Sequence, residues 1–179
     1  MIVQGVSIGD MINQSMTVLT KPSVQTFEQF ERRGGQREAL IYVGVAAAVG
    51  GILAAIFGIF SGGVAGAIGG LLFGLLIPLI SFYISAFLIY TIGKAQGGTG
   101  TQDEVFYSVA LYLAPILAIN GVIGSNALFA CLAFPISLLL GLYGIYLGYL
   151  AIRASMNLDQ TKAIITMVVA FVAQLVVGA

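Results

Sequence analysis

Six charged side chains fall in two short segments of an otherwise apolar chain, and their types are those that bind ligands. They are Lys94, Asp103, Glu104, Arg153, Asp159 and Lys162. Gathered on one face, they could bind a protein partner or a lipid headgroup, and Asp103 beside Glu104 could hold a cation through carboxylate oxygens. Charges that are simply solvated at the ends of membrane helices explain the same pattern. Both interpretations stay open, and the sequence predicts no metal site and no cofactor.

The chain lacks residues on which most enzyme catalysis depends. The chain contains no histidine, which removes the Ser-His and Cys-His arrangements and most acid-base chemistry at neutral pH. A phosphate-binding loop is excluded because Gly93-Lys94 is followed by Ala95 and Leu88 stands where a glycine is required. The net charge is zero, which gives a nucleic acid nothing to hold. We therefore expect neither an enzyme nor a nucleic-acid-binding protein.

The elements that position these charges are membrane helices. Hydrophobic residues make up 59% of the 179 residues, and the mean hydropathy is +1.05. No charged residue occurs in 39–93, in 105–152 or after Lys162. A crossing needs roughly 20 apolar residues, so the three intervals accommodate two, two and one. Transporters coupled to ions usually carry an ionisable group inside the membrane. Because these intervals contain no charged residue, the sequence disfavours such a transporter.

The predicted fold is all-α, a bundle of five transmembrane helices that follows an N-terminal segment, 1–38, and fills residues 39–179. Thr101 and Glu104 form a capping box at the start of the third crossing, and Asp159 is placed to cap the fifth. A turn is expected over 120–126, between the third and fourth crossings. The five crossings are predicted at about 39–60, 64–92, 101–119, 127–152 and 160–178.

The positive charges predict the orientation of the bundle. All seven Lys and Arg residues fall in the N-terminal segment, in the second loop or in the fourth loop. Positive residues in short loops remain on the cytoplasmic side. The sequence therefore predicts a cytoplasmic N-terminus and an external C-terminus, and these two are compatible only with an odd number of crossings.

The N-terminal segment shows a helical period in its apolar residues. It predicts a helix over 6–19 that lies on the membrane surface or packs on a neighbouring protein surface. A second short helix, 23–33, with Pro22 in its first turn, is expected to bring two phenylalanines to the bilayer. The residues predicted at the membrane surface are Ile8, Met11, Ile12, Met16, Leu19, Phe27 and Phe30.

Small residues four apart and three prolines mark the crossings themselves. Such spacing lets helix backbones approach closely in lipid, within one chain or between copies of a homo-oligomer. The candidate packing glycines are Gly62, Gly66, Gly70, Gly74, Gly144 and Gly148. Kinks are expected at Pro78, Pro115 and Pro135, and they could open a pathway lined by Asn120, Asn126 or Gln174.

Several short segments, in their order and spacing, resemble the Yip domain family of small membrane proteins, named for interaction with Ypt and Rab GTPases. Before the first crossing stand 19–22, Leu-Thr-Lys-Pro, and Thr26-Phe27. The loop 97–100, Gly-Gly-Thr-Gly, precedes the third crossing, which contains 112–115, Tyr-Leu-Ala-Pro. Asn157-Leu158-Asp159 and Lys162-Ala163 precede the fifth.

The resemblance is to the short, prokaryotic kind of member, because only 38 residues precede the first crossing. It implies a multi-pass protein of a prokaryotic plasma membrane, and Rab binding is not carried over. We expect a non-enzymatic protein that organises or shapes membrane or scaffolds a membrane or cytoplasmic partner. Its expected partners are the lipid bilayer, further copies of itself and such a protein. The alternative is a transporter or channel for ions or small solutes.

Overall fold

The computed structural model describes residues 5–124 and 130–178, and every regular element in these two ranges is an α-helix. The helices are α1 (Ile8–Thr20), α2 (Val24–Phe30), α3 (Gln36–Ala95), α4 (Gln102–Gly124), α5 (Ala130–Met156) and α6 (Gln160–Gly178). Three stretches are long and apolar enough to cross a membrane, namely Gln36–Ala95, Gln102–Gly124 and Ala133–Met156. The shorter apolar range Gln160–Gln174 lies within α6.

Helix α3 is broken at Gly63, where the backbone takes φ 59° and ψ −144°. A positive φ of this kind is accessible to glycine and strained for other residues. The break divides α3 into a first arm, 36–62, and a second arm, 64–95. It lies within the predicted turn between the first two crossings.

The two arms fold back along each other through glycine contacts. A Cβ added at Gly66 would collide with the carbonyl of Gly58, and one at Gly70 would lie 2.5 Å from the carbonyl oxygen of Ala54. A Cβ at Gly74 would lie 2.6 Å from the Cα of Gly51. Only glycine allows the arms to approach this closely.

The other helices complete a bundle around these arms. Helix α4 packs against α3 and α5, and α6 packs against the same two. The short helices lie on the outside, α1 against α4 and α2 against α5. All four long elements can therefore contribute to one interior.

Segments 31–36, 94–104 and 153–162 meet at one end of the bundle, which we call the charged end. Hydrogen bonds join Arg32 to Glu104 and Asn157 to Thr99 across these segments. Large buried side chains such as Phe106 lie near this end. At the far end the apolar side chains are mostly exposed, as Phe60 is, and such a surface suits lipid.

The bounds of α2 and α4 differ from the prediction. Ser23 caps α2 by accepting a hydrogen bond from the N–H of Thr26, so Pro22 precedes the cap and does not begin the helix. The helix also ends earlier than expected, at Phe30, and Gly35 is already the N-cap of α3. Helix α4 continues through Asn120 to Gly124, and the last part of the predicted turn lies outside the described residues.

Candidate functional site

Helix α4 begins with a capping box that also anchors the N-terminal segment. The N–H of Thr101 donates to Oε2 of Glu104 over 2.7 Å, and the Thr101 hydroxyl accepts from the N–H of Glu104. The predicted capping box is therefore confirmed. Oε1 of Glu104 accepts from Nε of Arg32 over 2.9 Å. Both oxygens of this buried carboxylate are thus occupied.

The start of α3 is capped by a residue of α4. Oδ1 of Asp103 accepts a hydrogen bond from the N–H of Gln36 over 2.9 Å, and a carboxylate is favourable at a helix N-terminus. Glycine at position 35 makes room, since a Cβ there would lie 3.0 Å from Oδ1 of Asp103. The N–H of Gly35 donates to Glu38. Asp103 and Glu104 therefore tie the N-terminal segment to α4.

Glu31 is a buried carboxyl group beside this junction. Its Oε2 has no hydrogen-bond partner in the described part of the chain, and its Oε1 lies 3.6 Å from Nε of Arg32. Burial, with the nearby charge of Glu104, raises the pKa of Glu31 to about 7, and Arg32 opposes the shift. Glu28 adds to the increase. The charge of Glu31 therefore changes near neutral pH.

The glycine-rich loop 97–100 fits the end of α5. The N–H of Thr99 donates to the carbonyl of Met156, and the Asn157 amide donates to the Thr99 hydroxyl over 3.1 Å. A side chain at Gly100 would overlap the carbonyl of Ser155. This close backbone contact explains why glycine stands in the loop.

A cavity of about 840 Å³ lies among the second arm of α3, α4, α5 and α6. Its wall is almost entirely apolar, and its polar groups are a few serine, tyrosine and glutamine side chains. Gln174 lines it and accepts a hydrogen bond from Ser85 over 2.7 Å. Of the polar positions expected along a solute pathway, Gln174 thus lines the cavity, Asn120 is not among the lining residues, and Asn126 lies outside the described residues.

A family model of the Yip1 domain matches residues 16–179. The chain belongs to the Yip1 domain family. It is accordingly an integral membrane protein, as its apolar helices indicate. No curated protein and no solved structure matches it.

The segments whose sequences resemble the Yip domain family contact the helices of the bundle. The rings of Phe27 and Tyr112 contact edge to face, with centroids 6.5 Å apart. The hydroxyl of Tyr143 donates to the carbonyl of Leu19 over 2.6 Å. The Thr99 N–H also donates to the carbonyl of Met156 on α5. These three contacts link α1, α2 and the glycine-rich loop to the bundle.

The six polar residues expected to form one cluster lie in segments that meet at the charged end, and four of them contact residues outside the set. Asp103 and Glu104 serve the N-terminal segment, as described above. Asp159 caps α6 by accepting from the N–H of Lys162 over 2.8 Å, which confirms that cap. Lys94 lies over the ring of Tyr90. Over the described residues, no group of three or more acidic, cysteine or histidine side chains is placed to bind a metal ion.

The Arg153 side chain has its polar and ring contacts with Tyr149. Its guanidinium lies 5.8 Å from the centroid of the Tyr149 ring, and Nη1 is 3.4 Å from the Tyr149 hydroxyl. Its Nε is buried without a hydrogen-bond partner among the described residues. Arg153 therefore keeps a guanidinium donor that no described residue accepts.

The residues expected at the membrane surface separate into two groups. Ile8, Ile12 and Met16 are exposed along one edge of α1. Phe27 and Phe30, expected at the bilayer, are buried in the protein, as is Met11, and Leu19 is half-buried. The aromatic side chains of α2 thus belong to the protein core.

The glycines predicted to pack helices together differ in how close their neighbours lie. Gly144 and Gly148 face α4, where added Cβ atoms would lie 3.4 Å from Ile116 and 3.0 Å from the Tyr112 hydroxyl. A Cβ at Gly62 would meet nothing within 4 Å, unlike one at the next three glycines of its predicted series. Helices α3, α4 and α5 continue through their prolines, which are Pro78, Pro115 and Pro135.

Two buried hydrogen bonds of α1 were not anticipated from the sequence. The Tyr107 hydroxyl donates to Oε1 of Gln14 over 2.8 Å, and the Tyr42 hydroxyl donates to the Ser15 hydroxyl over 2.9 Å. The available signal was that Gln14 and Ser15 share a helical face with Met11 and Val18. These bonds fix α1 to α4 and to the first arm of α3.

Proposed function

We propose that this Yip1-domain protein is a non-enzymatic protein that organises or shapes a prokaryotic plasma membrane through helix α1. The observation that carries the proposal is an apolar row on that helix. Ile8, Ile12 and Met16 expose 39%, 49% and 54% of their surface, although the neighbouring face of α1 is buried. They are four residues apart and therefore lie along one line.

An exposed apolar row on a helix suits insertion at the boundary between lipid headgroups and acyl chains. Here the helix is not free to move separately from the bundle, because Gln14 and Ser15 are hydrogen-bonded to Tyr107 and Tyr42. Insertion of the row would displace lipids of one leaflet at a fixed position beside the crossings. Such one-sided insertion is a physical means of bending or ordering a membrane.

The proposed topology has five crossings, with the N-terminus in the cytoplasm and the C-terminus outside. The break at Gly63 supports counting the two arms of α3 as separate crossings. The clustering of the basic segments at the charged end supports a cytoplasmic location of that end. Exposed cations there would attract an anionic leaflet, and they include Arg32, Arg33, Lys94 and Lys162.

The second arm is longer than one crossing needs. It rises roughly 45–50 Å at about 1.5 Å per residue, compared with a hydrocarbon core of about 30 Å. The excess would extend from the membrane at the charged end, where α1 packs on α4 and α2 packs on α5. This arrangement would place α1 at the level of the headgroups.

The experiment compares two triple variants of the full chain. Replacing Ile8, Ile12 and Met16 by serine removes the apolar row, whereas replacing all three by leucine keeps it. Each protein is reconstituted in vesicles that contain anionic phospholipid, and vesicle size and shape are measured by electron cryo-microscopy. We expect the wild type and the leucine variant to remodel the vesicles and the serine variant to lose this effect. Remodelling by a correctly folded serine variant would overturn the proposal.

Deleting residues 1–35 would be a poorer test. The deletion removes Arg32, which pairs with buried Glu104, and uncovers Tyr107. Loss of vesicle remodelling after the deletion could therefore come from disruption of the bundle. The three-residue substitution leaves these contacts in place.

A further inference from the structure

The apolar cavity has the size and opening of a binding site for a lipid chain. Its volume of about 840 Å³ lies in the range of about 300–1,000 Å³ that is typical of ligand pockets. Ile145 on α5 and Ile164 and Val168 on α6 line it and remain exposed. The cavity is therefore open to the protein surface beside these two helices. That surface is apolar and would face the acyl chains of the bilayer.

The cavity also has the length of one leaflet. Its lining on α5 runs from Ile152, near the charged end, to Leu140. That distance is about 18 Å at about 1.5 Å per residue, and half of a hydrocarbon core is about 15 Å. Gly141, Gly144 and Gly148 leave part of this wall without side chains. An acyl chain could therefore lie along α5, parallel to its neighbours in the leaflet.

The hydroxyl of a buried tyrosine has no hydrogen-bond partner in the described part of the chain and lies at this space. Tyr112 lines the cavity and is 8% exposed, and its hydroxyl makes no hydrogen bond to any described residue. A Cβ at Gly148 would lie 3.0 Å from that hydroxyl, which places it against α5. A hydroxyl buried in an apolar site without a hydrogen bond costs free energy. An oxygen of a bound lipid would remove this cost.

The headgroup end of the cavity carries an available cation. Tyr149 lines the cavity, and Arg153 lies against it one helical turn closer to the charged end. The Nε of Arg153 is buried without a hydrogen-bond partner, and no carboxylate of the described residues lies within 4 Å of its nitrogens. Guanidinium groups bind phosphate oxygens with two parallel hydrogen bonds.

We propose that the cavity binds a glycerophospholipid of the leaflet at the charged end. One acyl chain fills the cavity along α5, the Tyr112 hydroxyl donates to an ester oxygen, and Arg153 binds the phosphate. The lipid enters sideways from the bilayer between α5 and α6. Its role is to complete the interior of the bundle at a place where the helices alone leave a space.

The first test measures lipid retention. Full-length protein is purified in mild detergent, stripped of lipid, and incubated with phosphatidylglycerol, and bound lipid is counted by native mass spectrometry. Gly144→Leu places a side chain in the cavity, and Gly69→Leu is its control because a Cβ at Gly69 meets nothing within 4 Å. We expect Gly144→Leu to weaken retention about tenfold or more, equal to about 1.4 kcal/mol or more, and Gly69→Leu to bind as the wild type does. Equal retention by the two variants would overturn the proposal.

The second test addresses the headgroup, and it does not depend on filling the cavity. Arg153→Gln removes the phosphate contact, and Lys162→Gln removes an exposed cation from the same end of the bundle. We expect phosphatidylglycerol to raise the Tm of the wild type and of Lys162→Gln, and to raise that of Arg153→Gln much less. Diacylglycerol, which lacks the phosphate, and free inorganic phosphate should each have a small effect on the wild type. A full effect of either probe, or an unchanged response of Arg153→Gln, would contradict the proposed contact.

Tyr112→Phe provides a third measurement. In stripped protein the substitution removes an unpaired buried hydroxyl, so the Tm should stay unchanged or rise. With phosphatidylglycerol present, the variant should gain less stability than the wild type gains. A loss of stability of the same size with and without lipid would show that the hydroxyl has a purely structural role. A dimer that forms only when lipid is removed would assign the cavity to a second copy of the chain and would also overturn the proposal.

Discussion

Arg32 donates a hydrogen bond from its Nε to Oε1 of Glu104, over 2.9 Å and between residues 72 positions apart in the chain. The two side chains have opposite environments, because the Arg32 side chain is 65% exposed and that of Glu104 is 8% exposed. The arginine thus brings a solvated charge to a carboxylate that the protein has buried. Through this bond the N-terminal segment stabilises the start of α4.

Arg32→Gln should therefore destabilise the folded protein by about 1–2 kcal/mol, because the buried Glu104 side chain loses a charge-assisted partner. The measurement is the fraction of protein that remains monodisperse in detergent after heating. Arg33→Gln is the matched control, since Arg33 is exposed and lies over the ring of Phe30 without an ion pair in the described residues. A similar loss in both variants would mean that the charge, and not the contact, matters.

Glu31 should make stability depend on pH near neutrality. Its pKa is raised from 4.5 to about 7 in the folded protein, so the fold binds its proton more tightly than the unfolded chain does. The corresponding stability is fully present below about pH 4.5 and is lost as the pH rises through about 7. Glu31→Gln should remove this part of the decline, so the Tm difference between variant and wild type should increase from pH 5 to pH 8.

The groups that face Glu31 define the control for this titration. They are Glu104 on α4, Arg32 beside it and Glu28 on α2. Glu28→Gln removes an exposed carboxylate and should leave most of the pH dependence intact. If Glu31→Gln and the wild type decline in parallel over this pH range, then Glu31 does not titrate there.

The bond between Tyr107 and Gln14 should hold α1 on the bundle. Tyr107→Phe leaves the Gln14 oxygen buried without its donor and should cost about 1–3 kcal/mol. We expect faster amide hydrogen exchange in α1, with little change in α6. Adding Gln14→Leu to Tyr107→Phe removes both polar groups and should restore much of the protection. Tyr83→Phe is the control, because Tyr83 is partly exposed and stacks on Phe87 without a hydrogen bond among the described residues.

The two arms of α3 should tolerate no side chain at the glycines where their backbones touch. Gly66→Ala places a methyl group against the backbone carbonyl of Gly58, which cannot move aside without separating the two arms. We expect a loss of about 1–3 kcal/mol from overpacking, read as a lower Tm in detergent. Gly69→Ala lies in the same arm and meets nothing within 4 Å, so it should be neutral or slightly stabilising. An equal loss at Gly69 would indicate a general need for glycine flexibility.

The proposed topology predicts which positions face outward in intact cells. In a Cys131→Ser background, Ser61→Cys lies beside the Gly63 break and Gln160→Cys begins α6, and both positions are exposed. A membrane-impermeant maleimide should label Ser61→Cys in intact cells and Gln160→Cys only after permeabilisation. The reverse pattern would invert the orientation, and equal labelling would rule out separate sides for the two positions.

Local signals in the sequence predicted several helix ends correctly. The capping box of Thr101 and Glu104 and the cap at Asp159 depend on residues three apart, whose geometry is set by the start of a helix. The turn at Gly63 follows from glycine's access to positive φ. These features need no knowledge of the rest of the fold.

Contacts between distant segments could not be predicted in this way. The apolar period of α1 did not identify its buried face, since Gln14 and Ser15 are buried while Ile12 is exposed. In a membrane protein an apolar side chain can face lipid as readily as protein, so hydrophobicity alone does not distinguish the two. The same limit applies to the cavity, whose wall has the composition of any packed interior.

The start of α3 depends on Asp103, which is synthesised long after Gln36. During biosynthesis both arms of α3 are made before the residue that completes the N-terminal cap of that helix. The N-terminal helices therefore reach their final places late, after α4 is available to receive Gln14 and Arg32. In a newly made chain, the part translated first would be among the last to become ordered.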